Sequence, residues 1–403
     1  MNLVLFDDPA IRAALLPITY TRSISDIRIG IMTIEEKWST ALNTKVNKLT
    51  EDYLQPLYQE DIKENSLYIN ASVCPTAELL EHIKKLKIGE GLIYQDLLVA
   101  VYSQKPILTP EEISKDINFQ TIDLSETPII IQNPWDIFLS TRRGIIEDFP
   151  IVTEGRESAS LDDPHTVVYG KENVFIEEGA SVRCAVINAE TGPVYISKGA
   201  RIHEGAIVRG TCFIGEGAHI NMGAKIHEDC SFGPYCKIGG ETGNAVMLGY
   251  SNKGHDGYLG NSVIGEWCNL GADTNTSNLK NNYGNVSIWS YVQEDLVSTG
   301  QMFCGLIMGD HSKAGINTMF NTGTVVGVAA NIFGGGFPDK FIPSFSWENV
   351  NHSQQTALPE KIFDTAQKVM ARRGKTLTET QQKILTEVYK RSEKYRKWDW
   401  GLD

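Results

Sequence analysis

The chain has eight histidines, the side chains best suited to passing a proton near neutral pH. Three of them, His203, His219 and His227, each adjoin an isoleucine that belongs to a six-residue hydrophobic spacing, so they are expected to point outward. His255 is set apart. It lies in SNKGHDGYLG, among glycines, where the six-residue spacing is interrupted, and Tyr258 follows three residues later. Functional groups collect where a regular scaffold is broken. This makes His255 the leading candidate for a functional histidine, ahead of the alternative of a loop histidine bonded to backbone. A second feature is a column of like charge. Arg183, Arg201, His219 and Lys237 recur at spacing 18. Stacked on neighbouring strands they would repel, which an anion or acids of a neighbouring copy would relieve. The seven cysteines contain no CxxC pair, so neither a disulfide framework nor a metal site is expected.

The scaffold that would carry these residues is repetitive. From residue 196 the chain falls into sixes: ISKGAR, IHEGAI, VRGTCF, IGEGAH, INMGAK, IHEDCS, FGPYCK, IGGETG. The leads are Ile196, Ile202, Val208, Ile214, Ile220, Ile226, Phe232 and Ile238, and the fifth position is small throughout. Each hexad reads as a short strand plus a tight turn, and three hexads make one coil of a triangular prism. The lead fills the core, and the fifth residue faces a corner with room only for a small side chain. One coil cannot bury its hydrophobic face alone, so coils must stack. On this reading Cys212, Cys230, Cys236 and Cys268 are small core residues. The pattern resumes at Ile264 and Leu270. The gap of 26 from Ile238 to Ile264 is not a multiple of six, so the intervening segment is expected to leave the regular coil. A second irregular stretch runs from about Thr276 to Asp310, before AGINTMFNTGTVVGVAANIFGG returns to coil-like sequence.

The rest of the chain reads differently. NLVLFDD, SLYINASV, LIYQDLLVAVY and TPIIIQNP are strand-like, and AELLEHIKKL is helical. Alternating strands and helices predict an α/β layer domain. Polar GRESASLDDPH links it to the repeats. Beyond the repeats, a Gly/Pro-rich crossing segment leads to two helices. The first is KIFDTAQKVMARRG, ended by Gly374; the second opens on a Thr378/Gln381 capping box and buries Ile384, Leu385, Val388 and Tyr389. The basic end KRSEKYRKWDW is expected to be solvated. The expected architecture is therefore an α/β domain over residues 1–155, an all-β left-handed parallel β-helix over 166–335, and a crossing segment with C-terminal helices over 336–403. The formal net charge of -13 argues against nucleic acid. No apolar run reaches membrane-spanning length and the N-terminus has no leader pattern, so a cytoplasmic protein is expected.

The run GHDGYLGNSVIGEWCNLGADTNTSNLK resembles the hexapeptide acyltransferases, and within them the acetyltransferase half of the bifunctional enzymes that make UDP-N-acetylglucosamine. The matching positions are His255, Tyr258, Leu259, Gly260, Ile264, Gly265, Asn269, Gly271, Ala272, Thr274 and Asn278, without gaps. The resemblance implies an acetyl-CoA-dependent N-acetyltransferase acting on a glucosamine-1-phosphate-like amino-sugar phosphate. It also implies a homotrimer whose active site lies between neighbouring prisms. His255 would be the general base, and Tyr258, Asn269 and Asn278 would hold the sugar. The pattern departs from the family at Asp273, at Leu279 and at Gly239-Gly240, where the family carries a lysine doublet that helps bind the sugar phosphate. Lys253 or Lys280 is the candidate replacement.

LLPITYTRSISDIRIGIMTIEEKW resembles the start of a sugar nucleotidyltransferase, whose Thr-Arg loop and later lysine hold the nucleoside triphosphate. Thr21, Arg22 and Lys37 are the corresponding residues. The family's Gly-x-Gly before Thr-Arg is missing, and its magnesium-binding Asn-Gly-Asp reads Asn70-Ala71-Ser72, so Mg2+ is implied only if nucleotidyl transfer is retained. Three functions follow: an amino-sugar-phosphate acetyltransferase, bifunctional if the first domain is active; a nucleotidyltransferase whose β-helix serves to trimerise it; and a non-catalytic sugar-nucleotide-binding or scaffold protein.

Overall fold

The computed structural model describes residues 2–58, 61–351 and 353–399. The N-terminal part is an α/β layer. Its six-stranded sheet runs in the order Val46–Leu49, Asn2–Phe6, Ser66–Asn70, Leu97–Ser103, Glu90–Tyr94, Asn118–Thr121. The first three are parallel, and every residue from Leu3 to Phe6 is fully buried, as a parallel strand covered on both faces requires. The helix Ile34–Leu42 starts at a Thr33/Glu36 capping box. LIYQDLLVAVY is not one strand but a hairpin, turning at Gln95 and Asp96 with φ of 48° and 66°. TPIIIQNP contributes only a single bridge, Val73 to Ile130, because the helix Pro134–Leu139 begins directly after it.

The repeats form a parallel β-solenoid. Val194, Cys212 and Cys230 lie in register on successive coils, as do Arg201, His219 and Lys237. Leads and fifth positions point inward together: Ile196, Ile202, Val208, Ile214, Ala200, Ala206, Cys212 and Ala218 are all at most 1% exposed. Each buried lead contributes about 1.5–3 kcal/mol relative to exposure.

The interruption after Ile238 does not leave the coil. Ser231 pairs with Val246 and Lys237 with Asn252, a coil of fifteen residues; Thr242 then pairs with Leu259 and Asn252 with Asn269, a coil of seventeen. Ile238 and Ile264 therefore stand in different columns, and the two coils that run from Ile238 to Leu270 are short because their turns are shorter. The inward leads of the first are Thr242, Met247 and Lys253, and those of the next are Leu259, Ile264 and Leu270. The shortened turns, together with a lysine in a lead slot, hid the repeat. The first coil is long instead, with Ser181 beneath Arg201, so Arg183 falls outside the expected charge column.

The stretch after Thr276 leaves the prism as an antiparallel pair, Ser287–Ser290 with Asp295–Ser298. The solenoid also runs past residue 335. Phe341–Ile342 and Ser346–Asn349 add two further rungs, and Ser353–Thr356 folds back antiparallel on the last. Helices Pro359–Ala371 and Glu379–Arg391 follow, the second from the expected capping box. Arg396 in the basic end is fully buried rather than solvated, donating to the Tyr389 carbonyl and Ser392.

The parts share one core. An outward row on one prism face, Tyr195, Phe213, Ser231, Val246, Val263, Ile307 and Val325, is apolar but for a serine. The N-terminal domain docks on it: Val246, Val263 and Ile307 join Leu3, Leu5 and Trp38 in a single hydrophobic cluster with the C-terminal Ile384 and Val388. Tyr291 from the excursion stands edge-on to Tyr20 at 5.6 Å and to Tyr395 at 5.4 Å, tying all three parts together.

Candidate active site

His255 sits on the turn between Asn252–Lys253 and Tyr258–Glu266, at a corner where two prism faces meet. It is exposed. Two features hold the turn. Asn221, from two coils below, donates to the Gly254 carbonyl at 2.8 Å. Lys253 reaches it from inside the prism. In register above Ile238 and 1% exposed, Lys253 donates to the carbonyls of His255 at 2.7 Å, Gly239 at 3.2 Å and Asp256 at 3.2 Å. An ammonium has three donors, and all three are used. Burial pulls its pKa down to about 8, against the smaller opposing pull of Asp256 and Asp273. A charge in a hydrocarbon row is costly unless it is fully bonded, and the bonds it makes fix the backbone on which His255 stands.

The corner divides the expected site residues. On one side Asn269 and His255 line a cavity of 710 Å³. On the other, Asn278 donates to the Tyr258 hydroxyl at 3.1 Å and to Asn261 Oδ1 at 2.7 Å. His255 also borders a second cavity, of 780 Å³, with His203, Asp256 and Asp273. Lys253 is thus inside the wall rather than in the cavity, and Lys280 donates to the Asn285 carbonyl within the excursion. Neither stands in for the missing lysine doublet. The structure supplies other cations: Lys237, Lys313, Arg372 and Arg373 line the His255 cavity, and Arg373 donates to Asn252 Oδ1 at 3.2 Å. Arg372 and Arg373 end the helix Pro359–Ala371, and the ARRG sequence at that helix stop was the only sign of them. Trp267 forms part of the same wall, stacked at 4.2 Å on Tyr250, both at positive-φ corner positions.

Thr21, Arg22 and Lys37 are engaged elsewhere. Thr21 donates to Asp310 Oδ2 at 2.7 Å, and Arg22 pairs with the same oxygen at 2.7 Å and with Glu266 at 3.7 Å, in the seam between domain and solenoid. Lys37 pairs with buried Asp148, which also accepts the Ile31 and Met32 amides. At the strand ends, Asp7 is fully buried against Arg12, Ser23 and Thr50, and Asn70 is bonded to Ser72 and the Leu98 carbonyl. These side chains satisfy one another, and do not fit a nucleoside triphosphate with Mg2+.

Residues 3–157 match the family model described as sugar nucleotidyl transferase. The bifunctional protein GlmU of Methanococcus aeolicus is 33% identical over 87 residues, covering 22% of this chain and 20% of that protein. The chain is similar to the bifunctional GlmU-type proteins. The bifunctional sugar-1-phosphate nucleotidylyltransferase/acetyltransferase of Sulfurisphaera tokodaii is 34% identical over 101 residues, 25% of each chain. The chain thus spans about a fifth to a quarter of the length of these curated GlmU-type relatives. A solved structure of the Arabidopsis UDP-N-acetylglucosamine acyltransferase covers 60% of this chain and 83% of that one, at 16% identity and a TM-score of 0.26. Among the described residues no helix is long and apolar enough to cross a membrane.

Proposed function

We propose that the chain is an acetyl-CoA-dependent N-acetyltransferase acting on an amino-sugar phosphate, with His255 as general base. The observation that carries this reading is an exposed histidine pinned by Lys253 and Asn221 at the mouth of a 710 Å³ cavity that Asn269 and four cations also line. His255 takes a proton from the sugar amine as its nitrogen attacks the thioester carbonyl. The C–N bond forms, the C–S bond breaks, and the proton returns to the departing CoA thiolate. Asn269 orients the acceptor, and holding the amine in line accounts for much of the rate. Acetyl-CoA with a small panel of amino-sugar phosphates, glucosamine-1-phosphate first, should release free thiol. No thiol release with any member would remove the reading.

The assembly proposed with it is a homotrimer in a cytoplasmic setting. Tyr258 and Asn278 lie across the corner from the His255 cavity, so a second prism packed at that corner would bring both sides to one substrate. Sedimentation should show a trimer at micromolar concentration; a stable monomer would count against both the trimer and the shared site. The sugar nucleotidyl transferase match over residues 3–157 favours a second reading, nucleotidyl transfer to a sugar-1-phosphate. The internal pairing of Arg22, Lys37 and Asp7 weighs against it, and pyrophosphate release from UTP or dTTP tests it directly.

A further inference from the structure

Below the His255 cavity, the same prism face carries an unneutralised cationic groove. Arg201, His219 and Lys237 stand in register on three successive strands, at the ladder spacing of roughly 4.8 Å. Above Lys237 the row continues through Asn252, Asn269 and Lys313. Arg373, just beyond the helix Pro359–Ala371, lies against the row, and Lys198 closes the lower end of a 310 Å³ cavity, in which Glu216 is the one acid. Other surface arginines find partners: Arg156, Arg209 and Arg391 pair with Glu177, Glu228 and Glu387. Among the described residues, Lys198, Arg201, Lys237, Arg372 and Arg373 have no such pair. The mutual repulsion is visible in the titrating groups. Burial first, then Lys237, His203 and Arg201, bring His219 down to about 4, and Lys237 is lowered by burial and by Arg373 and Arg372.

Like charges held together without counter-charges are destabilising by themselves, and three strand registers plus a helix end converge to hold these. We propose that the groove between this row and the end of the helix Pro359–Ala371 binds a phosphate-bearing ligand, with Arg201, Lys237 and Arg373 as its cationic contacts. Guanidinium groups suit this, since each presents paired donors to phosphate oxygens. Lys237 and Arg373 line both this groove and the His255 cavity. A ligand with its phosphates in the groove therefore extends toward Asn269. The inference goes beyond the acetyltransferase reading and does not need His255 to be a base.

The test is calorimetric titration of the full chain, in its native assembly, with inorganic pyrophosphate. The parent should bind, more weakly as salt rises. Arg373→Ala should weaken binding about tenfold, and Arg201→Ala/Lys237→Ala at least as much. Arg373 lies at a helix end outside the solenoid core, so its variant keeps the test readable if the double variant folds poorly. No binding to the parent, or equal binding to parent and Arg373→Ala, would overturn the proposal. CoA, dephospho-CoA and glucosamine-1-phosphate separate the sources. CoA binding tighter than dephospho-CoA, with the difference abolished by Arg373→Ala, assigns the groove to the donor's 3′-phosphate. Sensitivity of the sugar phosphate alone to that change assigns it to the acceptor. Failure of thiol release with pyrophosphate binding intact would remove the acetyltransferase reading and leave the groove.

Discussion

Two stretches of the solenoid differ by one side chain in the same row. In the regular coils, Ile202, Ile220 and Ile238 stack inward, fully out of water. On the next coil that place belongs to Lys253, with Leu270 following above it. The regular rungs use the row for cohesion. At the shortened coil the row loses a hydrocarbon contact and gains three hydrogen bonds to the backbone around His255. Stability is surrendered locally at this rung, and the bonds gained hold the His255 turn still.

The regular side of the comparison should be intolerant. Phe232 is fully buried in the core of the prism, and Phe232→Ala should cost about 3–5 kcal/mol in chemical denaturation. Ala218 and Cys230 are fully buried at tight corners. Changing either to Leu should cost about 1–3 kcal/mol through overpacking; variants that melt like the parent would mean that the corner has slack.

Lys253 should behave in the opposite sense. Lys253→Met keeps the volume and removes the desolvation cost of a buried charge, which offsets the loss of the donor to three carbonyls. Its stability should stay within about 1 kcal/mol of the parent, while acetyl transfer falls roughly 10- to 100-fold through lost positioning. The fall should be in kcat, with little change in KM for acetyl-CoA. Because Lys253 titrates near 8 when folded and near 10.5 when unfolded, the unfolded state holds more protons between those values. The parent's stability should therefore rise relative to Lys253→Met as pH increases from 8 to 10.5, and the offset should be constant below 8. A variant that unfolds readily, or that keeps full activity, would make Lys253 a structural residue only.

The hexads made the solenoid legible because leads and corners follow strict chemistry: Ile or Val inside, Ala or Cys at the fifth place. They failed at the coil after Ile238, where Lys253 takes a lead slot and shorter turns change the spacing. The corner position of His255 could be read from its glycine setting. Arg372 and Arg373 were not, because nothing in a helix ending in Gly374 says which wall it will meet. The docking of the N-terminal domain had a readable trace in Tyr195, Phe213, Val246 and Val263, apolar residues just before inward leads on a supposedly exposed face. Thr21 and Arg22 matched a nucleotide loop by type, but their use depends on Asp310, nearly 290 residues away, which local sequence does not reveal.

If the turn at the corner carries a base, the His255→Ala substitution removes it. In the thiol-release assay, at matched fold and assembly, the variant should transfer acetyl groups roughly 100- to 10,000-fold more slowly, the range for a lost general base. Its affinity for acetyl-CoA should be little changed, because the base meets the amine and not the cofactor. A variant that acetylates at near-parental rate would contradict the account, and nucleotidyl transfer by the N-terminal domain would become the first reading to pursue.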